Sequence, residues 1–434
     1  MLNSRINRVL WHVRRFSKDI ITPAGYEKKV VDDHLKRFIV DKIRASGPIT
    51  VAEYMKTSVS APTVGYYGRF SKEQNVFGSQ GDFITSPELT QLFGEMIGVW
   101  IFHELANTGY KGAWNLVELG PGRGQLMADI LRSLEKFQDR DATIHLVEMS
   151  DALIDEQERF LCVDNSTKPI DPNSSFVRKN KTKEGFDIYW YKSIDDLPDG
   201  FSVFIGNEFL DALPVHQFSR SENNDIWNEI YINLDKNNEL VFMKSKGENL
   251  HTKGLIPKYI RDDASRINWE CSPDSGTVVN QIADRITAFG GFSLLIDYGH
   301  DGSRNTHSFR AYKNHQQVHP LSDPGHIDLT ADVDFGYLSR LINEQTLVFG
   351  PIIQREFLAQ VGIEHRLRRL LKICADREKQ LQLIKSYNML MGDMGEKFKA
   401  ISIFPKTLET ILTARGGPAG FATGPPKNPT EKTK

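Results

Sequence analysis

The sequence predicts an α/β protein with a parallel sheet covered by helices on both faces, a helical N-terminal extension and a small β-rich insertion. Three observations predict it. From Asn115 onward short apolar strands alternate with helical stretches, which calls for parallel strands joined by helical crossovers. A glycine-rich turn, Gly120 to Gly124, runs directly from the first of these strands into a helix. Between about 215 and 290 the pattern changes to short alternating runs, Ile226–Leu234 and Glu239–Met243, which read as a hairpin inserted at one end of the sheet.

The chain has 434 residues, 40% hydrophobic and 25% charged, enough to bury a core without staples. Its formal net charge of −2 gives no overall positive field for nucleic acid. The three cysteines, Cys162, Cys271 and Cys374, form no CxxC pair, so neither a zinc ribbon nor a disulfide framework is expected. No apolar run reaches the roughly 20 residues of a membrane-spanning helix.

Residues 1–18 stand apart. They hold Arg5, Arg8, Arg14, Arg15 and Lys18 and no acid, while Leu2, Ile6, Val9, Leu10, Val13 and Phe16 recur at helical spacing. A basic, acid-free amphipathic start is the pattern of a mitochondrial transit peptide, here ending near Arg14-Arg15-Phe16, and it implies the matrix. Residues 19–112 read as a helical lid region. Val31, Leu35, Phe38, Ile39 and Ile43 mark one helix, which Gly47-Pro48 ends. Thr85-Ser86-Pro87-Glu88 starts another that continues through Leu92, Met96, Val99 and Trp100.

The sheet domain, 113–414, follows in order. Asn115–Leu119, Thr143–Glu148, Asp187–Tyr191, Ser202–Asn207 and Phe292–Asp297 are strands; Gln125–Phe137 and Ala152–Phe160 are helices. A polar interruption spans 299–335, and Leu367 to Ile384 reads as a single helix with a basic outer face. Residues 415–434, rich in Gly, Pro, Lys and Thr, read as a disordered tail.

Glu118-Leu119-Gly120-Pro121-Gly122-Arg123-Gly124 carries the sharpest chemical signal. Glycines permit a tight turn and let a ligand approach the backbone. The spacing is GxGxG, not the GxGxxG of dinucleotide enzymes, and no P-loop is present. Glu118, two residues before the first glycine, can accept hydrogen bonds from a cationic amino group such as that of S-adenosylmethionine. Glu148 closes the next strand, where an acid bonds ribose hydroxyls in doubly wound folds.

With these blocks in view, the sequence resembles the MidA-like methyltransferases, the mitochondrial complex I assembly family. The resemblance runs from about Lys36 to Phe404. It rests on 81–88 (GDFITSPE), 117–124 (VELGPGRG), 207–214 (NEFLDALP) and 328–335 (DLTADVDF), all in the right order. It implies a class I, Rossmann-like methyltransferase fold using S-adenosyl-L-methionine. It also implies a matrix enzyme that symmetrically dimethylates an arginine of a complex I core subunit.

Ligands in such sheets lie beyond the carboxyl ends of the strands, where Asn207, Glu208 and Asp211 are delivered. A guanidinium, with a pKa above about 12, needs carboxylates before it can approach a cationic cofactor. Glu208 and Asp211 are therefore the expected catalytic pair; the other reading makes them caps of the turn before Pro214. The expected cofactor residues are Glu118, Gly120, Gly122, Gly124, Glu148 and Asn207, with Asp82 and Ser86 closing over it from the lid. Ser86 reads equally well as an N-cap. Asp328, Asp332 and Asp334 lack the glycine and terminal Glu of a calcium loop and read as a cleft wall or helix caps. His300, His307, His315, His319 and His326 show no metal-ligand spacing, so no metal is expected. Two other functions stay open from residues alone: methyl transfer to a different acceptor, and a non-catalytic assembly chaperone.

Overall fold

A computed structural model of the protein describes residues 34–61, 64–69, 85–164, 171, 173–221 and 226–422. The transit-peptide segment 1–18 and Asp82 fall outside the described residues.

Helix α1 (His34–Ser46) buries Leu35, Ile39 and Ile43, one stripe at helical spacing. Helix α2 (Val51–Ser60) starts at Thr50, whose hydroxyl accepts the Glu53 N–H at 3.0 Å. The long α3 (Gln91–Thr108) is apolar nearly all round and is accordingly a core helix; Gly109 at φ 72° closes it.

Strands and helices then alternate as the sequence predicts: β1 (Trp114–Leu119), α4 (Gln125–Lys136), β2 (Ala142–Val147), α5 (Asp151–Leu161), β3 (Arg178–Lys181), β4 (Asp187–Tyr191) and β5 (Ser202–Asn207). An insertion follows: β6 (His216–Arg220), β7 (Trp227–Leu234), β8 (Leu240–Lys244) and β9 (Asn268–Cys271). The chain returns through α6 (Pro273–Phe289) to β10 (Gly291–His300). Beyond it lie β11 (Arg310–Lys313), β12 (Gln316–Val318), β13 (Asp328–Thr330), α7 (Phe335–Ile342) and β14 (Thr346–Ile353). The last elements needed here are α8 (Gln354–Val361), α9 (Ile363–Ile373), α10 (Arg377–Met391) and β15 (Phe398–Pro405).

The main sheet has the order β14-β15-β10-β5-β1-β2-β4-β3, with the bridge Val333–Asp334 off β10. β10, β5, β1, β2 and β4 are parallel neighbours, and the chain order reverses between β1 and β5. That reversal opens a crevice at the carboxyl edge. Alternate strand residues supply its two cores. Leu116, Ile144 and Val203 face α3 and α4, while Val117, Phe204 and Leu295 face α6 and α7.

Several sequence expectations change in the fold. The sheet is not wholly parallel, since β15 adds antiparallel to β10 and β14 antiparallel to β15. The inserted strands end at Cys271. Helix α6, inside the 215–290 stretch, packs Val279, Ile282, Ala283 and Ile286 on the main sheet. The insertion is more than a hairpin: β6 to β9 form a five-stranded sheet with Ile49–Thr50 of the N-terminal region. α1, α2 and β13 share one core with it. The single helix expected over 367–384 is two, α9 and α10, because Asp376 caps a new start by accepting the Glu378 and Lys379 N–H groups. The tail expected to be disordered is packed as far as Phe421, which is 4% exposed. Buried Glu104 pairs with Arg415 and accepts the Ala419 N–H at 2.9 Å, and Trp100 donates to the Ala419 carbonyl. Among the described residues no helix is long and apolar enough to cross a membrane.

Candidate active site

Hydrogen-bond register lines up the carboxyl ends of four parallel strands. Val147 of β2 pairs with Leu119 of β1, Leu119 with Gly206 of β5, and Gly206 with Leu295 of β10. The residues flanking this row, Glu118, Gly120, Glu148, Glu208 and Asp297, therefore share one edge.

The glycine loop occupies its first half. Gly120, Gly122 and Gly124 all take left-handed backbone, φ 62°, 54° and 86°. A Cβ on Gly120 would sit 2.6 Å from the Phe209 ring. Glu118 is buried, and its Oε2 atom has no hydrogen-bond partner among the described residues. Burial pushes its carboxyl up to about 8. Glu148 is also buried and raised to about 7 by desolvation, although the Ser150 N–H (2.8 Å) and Gln157 Nε2 (3.2 Å) donate to it. Gln157 is the staple of this half. Its Nε2 also donates to the Gly122 carbonyl at 2.7 Å, and its Oε1 accepts the Trp190 indole N–H.

The second half is the turn after β5. Glu208 sits at φ 53°, a conformation few residues other than glycine adopt without cost. Its N–H donates to the Ile296 carbonyl at 2.9 Å. Its Oε1 accepts the Ser86 N–H at 2.8 Å and the Asn207 amide at 3.1 Å. Beneath it, Asp297 is 1% exposed and clamps the turn: Oδ2 accepts the N–H groups of Phe209, Leu210 and Asp211 at 3.0, 2.8 and 3.2 Å. The Asp211 carboxylate accepts the Thr330 hydroxyl at 2.7 Å, and its carbonyl accepts the Ala331 N–H. Desolvation raises Glu208 to about 8, with Asp211 adding to the rise. Asp211 is raised as well, by burial first. Asp297 is raised most clearly, by burial and then by the nearby Asp211 and Glu208 charges. This half of the edge crowds together carboxyl groups whose burial favours the protonated form.

A methyltransferase family model, described as S-adenosyl-L-methionine-dependent, matches residues 96–352. A Caenorhabditis elegans protein named protein arginine methyltransferase NDUFAF7 homolog, mitochondrial, is 70% identical over 97% of this chain and 98% of its own. The Homo sapiens protein of that name is 38% identical, covering 85% of this chain and 83% of its own. The chain belongs to the mitochondrial NDUFAF7 methyltransferase family. A Burkholderia thailandensis protein crystallised with S-adenosyl-homocysteine has the same fold, at TM-score 0.68 and 22% identity, covering 89% of this chain and 95% of that one.

S-adenosyl-L-methionine is the cofactor of this family, and the residues present fit it. The unpartnered Glu118 oxygen suits a cationic amino group, the side-chain-free left-handed loop leaves room for close approach, and Glu148 stands where ribose hydroxyls are bonded. Asn207 keeps an unpartnered buried Oδ1 at the same edge. Ser86 is no N-cap: it lies inside the short helix Ser86–Leu89, and its backbone N–H holds Glu208. The aspartates of 328–335 divide their work. Asp332 pairs with Arg304 and Arg310, and Asp334 caps α7 through the Tyr337 N–H. Among the loop histidines, His307 bonds the Phe218 carbonyl and His319 caps the Leu321 N–H, both structural uses.

Two residues were missed. Asp297 carried a readable signal, an acid closing the apolar run Phe292–Asp297 as Glu148 closes Thr143–Glu148. Tyr67 carried none. Burial first, and then the Asp328, Asp211, Glu148 and Asp297 charges, push its hydroxyl well above the ordinary tyrosine range.

Proposed function

We propose that the chain methylates an arginine of a protein substrate, a core subunit of mitochondrial complex I, taking the guanidinium to the symmetric dimethyl form. One observation carries the reading: Glu208, in left-handed backbone at a strand end, stands with Asp211 over the buried Asp297 clamp. Backbone strain at a strand end marks a position built for something other than stability. Crowded, desolvated carboxylates hold their protons until a cation arrives, and a guanidinium is such a cation with matching fork geometry.

The cofactor, when bound, supplies an electrophilic methyl group on a sulfonium. Glu208 and Asp211 neutralise the incoming guanidinium and hold one nitrogen in line with that methyl, so orientation supplies most of the rate. Methylating that nitrogen releases one N–H proton, which passes to the carboxylate that holds it. Asp297 fixes the turn and Ser86 fixes the Glu208 oxygen; both are positioning groups. The names of the curated relatives support arginine as acceptor and mitochondria as the site of action.

The test is methylation of isolated complex I subunits by the purified chain, read by mass spectrometry, with calorimetry of cofactor binding alongside. Cofactor binding with symmetric dimethylarginine on a core subunit is expected. Cofactor binding with methyl transfer only to small molecules, or with no transfer at all, overturns the acceptor.

A further inference from the structure

The inserted sheet brings together two histidines and a glutamate that serve no part of the methyl-transfer site. His216 stands on β6, Glu229 on the neighbouring β7 and His251 in the helix Leu250–Leu255. One ligand atom from each lies within 4.8 Å of the other two. His216 Nδ1 is 2.7 Å from Glu229 Oε1, and His251 Nδ1 is 2.9 Å from Oε2. Glu229 is fully buried, His216 is 13% exposed and His251 45% exposed, so the cluster has a closed floor and one open side.

We propose that His216, Glu229 and His251 bind one divalent transition-metal ion of the Zn2+ type, with water on the open side. Two imidazole nitrogens and a carboxylate are the donor set such ions take, and three protein ligands with one open position is a stable form of it. The ligands are held in place by their surroundings. Asn249 Nδ2 donates to Glu229 Oε2 at 2.6 Å and fixes the carboxylate. A reciprocal cap between Asn249 and Thr252 fixes the turn that carries His251. The His216 ring stacks on Phe218, centroids 6.2 Å apart and planes 11° apart. In the metal-free cluster the two Nδ1 atoms face the Glu229 oxygens; each neutral ring can present Nδ1 to the ion by carrying its hydrogen on Nε2. Their wide spacing along the chain hides this set from any sequence motif. Bound metal would tie β6, β7 and the following helix together, and β6 begins directly after the turn that holds Glu208 and Asp211.

The experiment uses the purified full chain, stripped of metal and titrated with Zn2+ alone. Metal analysis and calorimetry give stoichiometry and affinity; thermal melting is the third readout. One equivalent per chain is expected, with a higher melting temperature. His251→Ala, at the exposed ligand, and His216→Gln should each weaken binding about a hundredfold or more, since even outer partners of metal ligands are worth 10–100-fold. Unchanged S-adenosylmethionine binding in metal-free His251→Ala checks that it is folded. Absence of stoichiometric Zn2+ from the wild-type chain overturns the site and leaves a proton-bridged cluster. Wild-type affinity in both variants overturns it too, by moving the metal elsewhere.

Discussion

The two halves of the active-site edge are built differently. In the cofactor half, Glu118, the three glycines, Glu148 and Gln157 lie within two successive strand–turn–helix units, and the longest tie between them is Gln157 to Gly122. In the proposed acceptor half, the 207–211 turn is held by Ser86 from the N-terminal region, Asp297 from β10 and Thr330 from β13. The first half is a local motif and the second a tertiary assembly. A glycine loop is specified by a short stretch of chain, whereas the 207–211 turn reports the whole fold.

The sharpest way to break this comparison is Glu208→Gln, which keeps size and hydrogen bonding but removes the charge. If the acceptor half handles only the acceptor, methylation of the protein substrate should fall about 10²–10³-fold. Calorimetry should find cofactor affinity nearly unchanged. Loss of cofactor binding in this variant would merge the two halves.

Gly122→Val attacks the other half. At φ 54° any Cβ is strained by about 1–2 kcal/mol, and branching adds crowding where the cofactor approaches. Cofactor Kd should rise about tenfold or more, since 1.4 kcal/mol is a factor of ten. Circular dichroism should report an intact fold, and wild-type affinity would remove this loop from the binding site.

Asp297→Asn separates positioning from binding. Its amide oxygen can replace Oδ2 for the three turn N–H groups, but its NH2 then faces the Tyr298 N–H that Oδ1 accepts, and a buried unpaired donor costs about 1–3 kcal/mol. Denaturant melts should show that loss, and turnover should drop while cofactor affinity stays. A stability loss with full turnover would make Asp297 purely structural.

The smallest effect is in pH. Glu118 and Glu148, at about 8 and about 7, hold protons in the native protein that the unfolded chain releases near its ordinary 4.5. The native state therefore binds more protons across that window, and the cofactor-free protein should lose stability as pH rises from about 4.5 to about 8. A cationic amino group beside Glu118 favours the ionised carboxyl, so cofactor binding should expel a proton and tighten over the same rise. Melting temperatures with and without S-adenosylmethionine at about pH 6 and about pH 8.5 measure both. A cofactor-induced rise that shrinks at the higher pH would contradict the assignment of Glu118.

Legibility in the sequence follows the same divide. β1, α4, β2 and α5 could be read because apolar periodicity and a glycine loop are properties of adjacent residues. Glu208 and Asp211 could be read only as candidates, since a charged turn after a strand serves equally well as a cap. The break between α9 and α10 was missed because the leucine spacing runs through it, and only the Asp376 cap divides it.

By itself the sequence determined the α/β alternation, the cofactor loop with its two acids and the carboxylate-bearing turn after β5. Each is written in spacing over a few residues, where backbone preference and one-sided burial act locally. Tertiary structure alone decided that β14 and β15 close the sheet antiparallel, and that Ile49–Thr50 joins the inserted sheet. It alone decided that Phe421 packs into the core and that Asp297 clamps the 207–211 turn. Those outcomes turn on which buried donor finds which distant acceptor. That pairing is settled by packing in three dimensions and leaves no local trace in the chain.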